Sequence, residues 1–126
     1  MAIIKPTATY DDPLKISYIL PASAIDTAGV KLGMVGPAGM QGRVESMEAL
    51  VTADVTVAAA IVSIGSAADA DAYASLTVAV GVADTFANAP VDGVTALLPA
   101  DTLFEISSDG GATAGDANIV VTIAWF

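Results

Sequence analysis

The sequence contains no cysteine and no histidine. Disulfide cross-links are excluded, as are thiolate or imidazole metal ligands and any catalytic site that needs histidine as its base. Cations are scarce. Lys5, Lys15, Lys31 and Arg43 are the only four, against fourteen acids, and the net charge is −10. A phosphate backbone or an anionic membrane surface repels such a chain, so neither nucleic acid nor membrane is an expected partner. Aromatic residues make up 6% and charged residues 14%, the latter well below the roughly 25% of an ordinary domain. So little charge on a small protein points to uncharged surface covered by a partner, or to an exterior of Ala, Thr and Ser.

What is present is small and apolar. Hydrophobic residues form 55% of the 126, with few aromatics, so Ala and Val dominate. That length suits one domain with one core. The charges are unevenly spread. Residues 1–43 hold all four cations and three acids, whereas residues 44–126 hold eleven acids and no cation. One part of the molecule is thereby suited to an acidic neighbour. The opening MAIIKPTATYDDP lacks the apolar run of about 7–15 residues that a secretory leader needs. The richest apolar run, VTVAAAIVSIG (55–65), is too short to span a bilayer as a helix, which takes about 18 or more.

Pro6, Pro13 and the pair Asp11–Asp12 make residues 1–13 an expected extended arm, ahead of a single domain over 14–126. LKISYIL (14–20) alternates as a strand does, and Pro21 is expected to stop it. GVKLGMV (29–35) reads as a short strand and GPAGMQG (36–42) as a loop. RVESMEALV (43–51) fits strand or helix, and the β-branched run after it favours strand. A turn at TAD (52–54) is expected to lead into a strand over 55–65, buried on both faces. Ser66 three residues before Asp69, in an alanine-rich stretch, predicts one short helix at 67–73. Strands follow at 76–82, weakly at 94–99, and at 102–108, with loops at 83–93 and 108–116. A last strand is NIVVTIAWF (118–126). Seven or eight strands joined by Gly, Asp and Pro turns predict an all-β fold, an antiparallel β-sandwich of jelly-roll-like form.

The last strand places Ile119, Val121, Ile123 and Trp125 on one face. In outer-membrane barrels the lipid-facing set includes the final aromatic residue. Here the strongly apolar face has the phase of Trp125, not Phe126, and seven aromatics are too few for two interfacial girdles. A soluble sandwich core fits better, with Phe126 at a sheet margin or under a neighbouring subunit.

Constellations that carry chemistry are sparse. Asp69 with Asp71, or Asp109 with Asp116, supplies oxygen ligands of the kind calcium takes, but neither has the spacing of a calcium loop, and turn or cap roles suffice. Glu45 and Glu48 have no spacing specific to an acid/base pair. Gly36–Pro37–Ala38–Gly39 lacks the Lys-Ser/Thr of a phosphate loop. No enzymatic activity and no cofactor are expected.

VSIGSAADADAYASLTVAVG (62–81) and ADTLFEISSDGGATAGDANIVVTIAWF (100–126) resemble stretches of small tailed-bacteriophage structural proteins, the capsid decoration or cement proteins and head-fibre components. The likeness spans roughly residues 44–126. It implies a β-sandwich bound to the outer capsid surface of the virion, made in the host cytoplasm. It implies the major capsid protein as partner, often with the bound protein as a homotrimer, in a stabilising role. On that reading the arm and the 36–42 loop make the contacts, with Ile3, Ile4, Lys5, Tyr10, Met34, Met40, Arg43 and Phe126 as candidate contact residues. The rival expectation is a carbohydrate- or cell-surface-binding sandwich of a fibre or adhesin, which needs exposed aromatics on a flat face.

Overall fold

A computed structural model describes residues 14–90 and 96–126, and every regular element among them is a strand. In chain order these are β1 (Leu14–Ala24), β2 (Gly29–Val35), β3 (Gly42–Thr56), β4 (Ala60–Gly65), β5 (Ala74–Val78), β6 (Phe86–Pro90), β7 (Leu103–Ser108) and β8 (Ala114–Trp125). They form two four-stranded antiparallel sheets, ordered β1-β8-β3-β6 and β2-β7-β4-β5. The β-sandwich expected from the alternation is thus observed. The arm over 1–13, with Ile3, Ile4, Lys5 and Tyr10, lies outside the described residues.

The core forms where the two apolar phases meet. Ile119, Val121, Ile123 and Trp125 of β8 are fully buried, as their common face requires. β8 is central, paired with β1 on one side and β3 on the other. β3 contributes Val44, Met47, Ala49 and Val51. Met47, Ala49 and Val51 keep strict alternation, and a bulge between Val44 and Ser46 returns Val44 to the same face. The facing sheet supplies Phe104 and Ile106, Val62 and Ile64, and Leu76 and Val78. Each of these large side chains contributes about 1.5–3 kcal/mol of transfer free energy.

Several expectations are corrected. No helix forms at 67–73. The cap-type bond is made, with the Asp69 N–H donating to Ser66 Oγ at 3.2 Å, but the Tyr73 N–H returns to the Ile64 carbonyl at 3.0 Å. The segment is spent closing the β4–β5 hairpin, and one turn alone does not offset the nucleation of a helix. Pro21 does not end β1. That strand is a sheet edge, where a missing N–H breaks no ladder, and a bulge between Leu20 and Ser23 takes up the ring.

The turn expected at 52–54 lies inside β3, and the run 55–65 is instead broken at 57–59. There the Ala58 N–H donates to the Thr56 carbonyl at 2.9 Å around Val57, whose φ is 72°. β6 lies inside the stretch expected as loop, paired to β3 from Leu50↔Phe86 to Ser46↔Pro90. In place of the strand expected over 94–99, Leu98 makes a single bridge to Gly42, and residues 91–95 lie outside the described set.

Candidate partner interface

Trp125 organises one end of the sandwich. Its indole Nε1 donates to the Tyr18 hydroxyl at 3.1 Å. Phe104 packs between the two rings, edge-on to Tyr18 at 5.6 Å and tilted against Trp125 at 5.9 Å. Gly36 and Gly42 floor the indole. A Cβ on Gly36 would stand 2.2 Å from Trp125 Cη2, and one on Gly42 2.7 Å from Cζ3. The glycine-rich stretch 36–42 is therefore a seat for the tryptophan. It is tied down further by the Gly39 N–H, which donates to Asp101 Oδ1 at 2.9 Å, and by a Met40 N–H bond to the Pro37 carbonyl at 3.1 Å.

The candidate contact residues divide. Met34 lies on β2 opposite Phe104, half-buried against the core, and Met40 is likewise half-buried against it. Both act as flexible filler at the margin of the core. Arg43 and Phe126 come together at the surface of the same end. Gln41 and Phe126 exchange backbone bonds of 2.9 and 3.0 Å, and the Arg43 guanidinium lies 6.0 Å from the centre of the Phe126 ring. Arg43 Nη2 also meets Glu45 Oε1 at 3.2 Å, the one ion pair among the described residues. Phe126 is 49% exposed.

Sequence reasoning missed the company these residues keep. Leu14, Val35, Leu97 and Leu103 are all exposed at that end, where β1, β3 and β7 begin and β2 and β8 finish. The register places them at one end of the sandwich, Val35 and Leu103 on the outer face of the second sheet: Leu14↔Trp125↔Gly42, Val35↔Leu103 and Gly42↔Leu98. Lys15 joins Arg43 there, both facing Ala124 across β8. Leu14 shares the inward phase of Ile16, Tyr18 and Leu20, so alternation reads it as core, whereas Val35 and Leu103 have the outward phase of β2 and β7 and Leu97 adjoins the Leu98 bridge. Only the topology reveals five large apolar side chains at one end.

A second apolar feature crosses the outer face of the β1-β8-β3-β6 sheet. Ile19 faces Val120, and Leu50 faces Phe86, with Val120 and Leu50 diagonal to each other on neighbouring strands. Ile19 is 66% exposed, Leu50 38% and Phe86 57%. The outer face of the other sheet mixes small polar residues, Ser63, Ser75, Thr77 and Ser107, with Glu105 and the exposed Val30, Val35, Ile61 and Leu103.

The acids hold turns. Asp109 Oδ1 accepts from the Ile61 and Gly111 N–H groups, each at 2.9 Å, and Asp54 Oδ1 accepts from Ala83 N–H at 2.8 Å. Asp69 and Asp71 form a carboxyl pair. The Asp69 carboxyl is pushed above the usual aspartate value by its hydrogen bond with Asp71, then by loss of water around the pair and by the repulsion of a second charge. Among the described residues no three acids converge as metal ligands. No described helix is long and apolar enough to cross a membrane.

Comparison of the chain with protein-family models, curated proteins and solved structures found no match.

Proposed function

We propose that the chain is a structural protein of a tailed-bacteriophage virion, which binds the outer surface of the head and stabilises it. The observation that carries this reading is the end of the sandwich at which Leu14, Val35, Leu97, Leu103 and Phe126 are exposed, with Lys15 and Arg43 at the same end. Apolar side chains with an arginine stacked on an aromatic ring are the usual anchors of a protein contact. They stand on a sandwich end stiffened by the Trp125 cluster. A cement protein needs a rigid block, no catalysis and a contact repeated over the lattice, where modest individual affinities act together. The major capsid protein is the partner in this reading. The net charge of −10 favours it over DNA or an anionic membrane.

The fold in this reading is a jelly roll, the architecture of many viral coat domains. The pairings β1·β8, β2·β7, β3·β6 and β4·β5 support it. They are what one long antiparallel ribbon gives when rolled until β8 meets β3 and β7 meets β4. A glycan-binding face is less favoured. Of the described aromatics only Phe86 and Phe126 are exposed, and they lie apart from each other.

The test is co-sedimentation of the purified chain with heads of the encoding phage that lack it. Saturable binding and greater resistance of the heads to heat are expected. Arg43→Glu with Phe126→Ala should weaken binding at least tenfold. Heads that bind no chain, or bind this variant equally well, would overturn the proposal.

A further inference from the structure

We propose that the outer face of the β1-β8-β3-β6 sheet is a self-association surface, on which a second copy of this chain packs face to face about a two-fold axis near Val120. The inference does not depend on the capsid reading.

An antiparallel sheet with one face in the core ordinarily turns polar side chains outward. This one turns out Ile19, Val120, Leu50 and Phe86 in a line that crosses all four strands. The line is continuous, because Ile19–Val120 and Leu50–Phe86 are direct cross-strand neighbours and Val120–Leu50 a diagonal pair. Small polar groups border it. Ser17 Oγ and Thr122 Oγ1 bond each other at 2.9 Å, and Asn118 Oδ1 accepts from Ala22 N–H at 2.7 Å.

Charge identifies the occupant. Around this line the face carries Lys15, Arg43, Glu45, Glu48 and Asp116, which sum to −1. The other described residues hold eight acids and one cation, Lys31. Two copies can therefore approach at this face with little net repulsion. The face is also complementary to itself. The row Lys15–Ala124–Arg43 lies toward one end of β8, and Asp116, opposite Ala24 and Ala53, lies toward the other. Val120 is midway between residues 116 and 124, which are about 26 Å apart at the rise of a strand. A two-fold axis running across the strands at Val120 brings the cationic row of each copy toward Asp116 of the other, and lays the two apolar lines together.

Glu48 stands beside Val120 in the row Ile19–Val120–Glu48–Asn88. An axis that follows the oblique apolar line separates the two Glu48 carboxylates and moves each toward Asn118. The Asn118 carbonyl oxygen is already used by Ala22, which leaves its amide group to donate. An isologous contact of this kind closes at two copies. The trimer implied by the resemblance is not what this face builds.

Sedimentation equilibrium of the purified full chain tests the proposal without any head. The wild type should sediment at twice its 12.5 kDa chain mass at micromolar concentration. Ile19→Glu with Phe86→Glu changes exposed positions only. This variant should be monomeric, and an unchanged near-ultraviolet signal from Trp125 would show that it is folded. Asp116→Lys should weaken the dimer about tenfold, and adding Lys15→Glu with Arg43→Glu should restore most of the loss. A monomer at every concentration would overturn the proposal, leaving the face to another segment or protein. A wild-type trimer, or a dimer indifferent to the Ile19/Phe86 change, would overturn it equally.

Discussion

The indole nitrogen of Trp125 and the hydroxyl of Tyr18 are joined by a hydrogen bond of 3.1 Å inside the sandwich, with Phe104 packed against both rings. The apolar phase of β8 delivers Trp125 to the end where Leu14, Arg43 and Phe126 are exposed, so the same cluster that closes the core sets the geometry of the surface around it. Trp125→Ala should cost about 3–5 kcal/mol through the cavity it leaves. Tyr18→Phe removes only the hydrogen bond and should cost about 1 kcal/mol. Urea denaturation of the two variants gives both values, and equal losses would contradict the assignment.

The seat beneath the indole gives a sharper test. Gly36→Ala drives a methyl group to 2.2 Å from Trp125, whereas Gly33→Ala meets nothing nearer than 3.8 Å. Gly36→Ala should lower stability by about 1–3 kcal/mol through overpacking, and Gly33→Ala should leave it within about 0.5 kcal/mol. Thermal unfolding of the pair distinguishes a required glycine from a tolerated one.

Val57 stands 81% exposed at the centre of the turn between β3 and β4, with φ at 72°. A β-branched side chain in a positive-φ γ-turn is strained. Val57→Gly removes the strain and should stabilise the fold by about 1 kcal/mol, despite the added freedom of the unfolded chain. A destabilised Val57→Gly protein in chemical denaturation would count against the turn as described.

The Asp69–Asp71 pair should leave a mark on the pH dependence. The Asp69 pKa is raised in the folded state, so protons bind the folded chain more tightly than the unfolded one. This pair therefore favours folding as pH falls through the raised value, and loses that contribution as pH rises above it. In Asp71→Asn the hydrogen bond to a second carboxyl and its charge are gone. NMR titration of the Asp69 carboxyl should then return it toward the ordinary aspartate value. An unchanged titration would show that Asp71 is not the cause.

The fold class was legible because alternation is a local signal. In β8 and β7 each apolar position points where its phase says, and Trp125 and Phe104 are buried accordingly. Boundaries failed where tertiary pairing overrides local chemistry. Pro21 sits on an edge, Ser66 caps a hairpin loop instead of a helix, and bulges carry β3 past the expected turn at 52–54. The candidate contact surface is legible only in part. Arg43 and Phe126 drew notice as a late-chain aromatic and one of few cations, while Met34 and Met40 proved to lean on the core. Leu14, Leu97 and Leu103 could not be found from sequence, since only the register brings those strand ends to one place.

Cryo-electron microscopy of the intact particle tests the central claim most directly. The account predicts two-layer sandwich density on the outside of the head, with the end bearing Leu14, Arg43, Leu103 and Phe126 seated on the major capsid protein. A particle without that density, or one that holds the chain by the opposite end where Val57 and Asp109 lie, would contradict it.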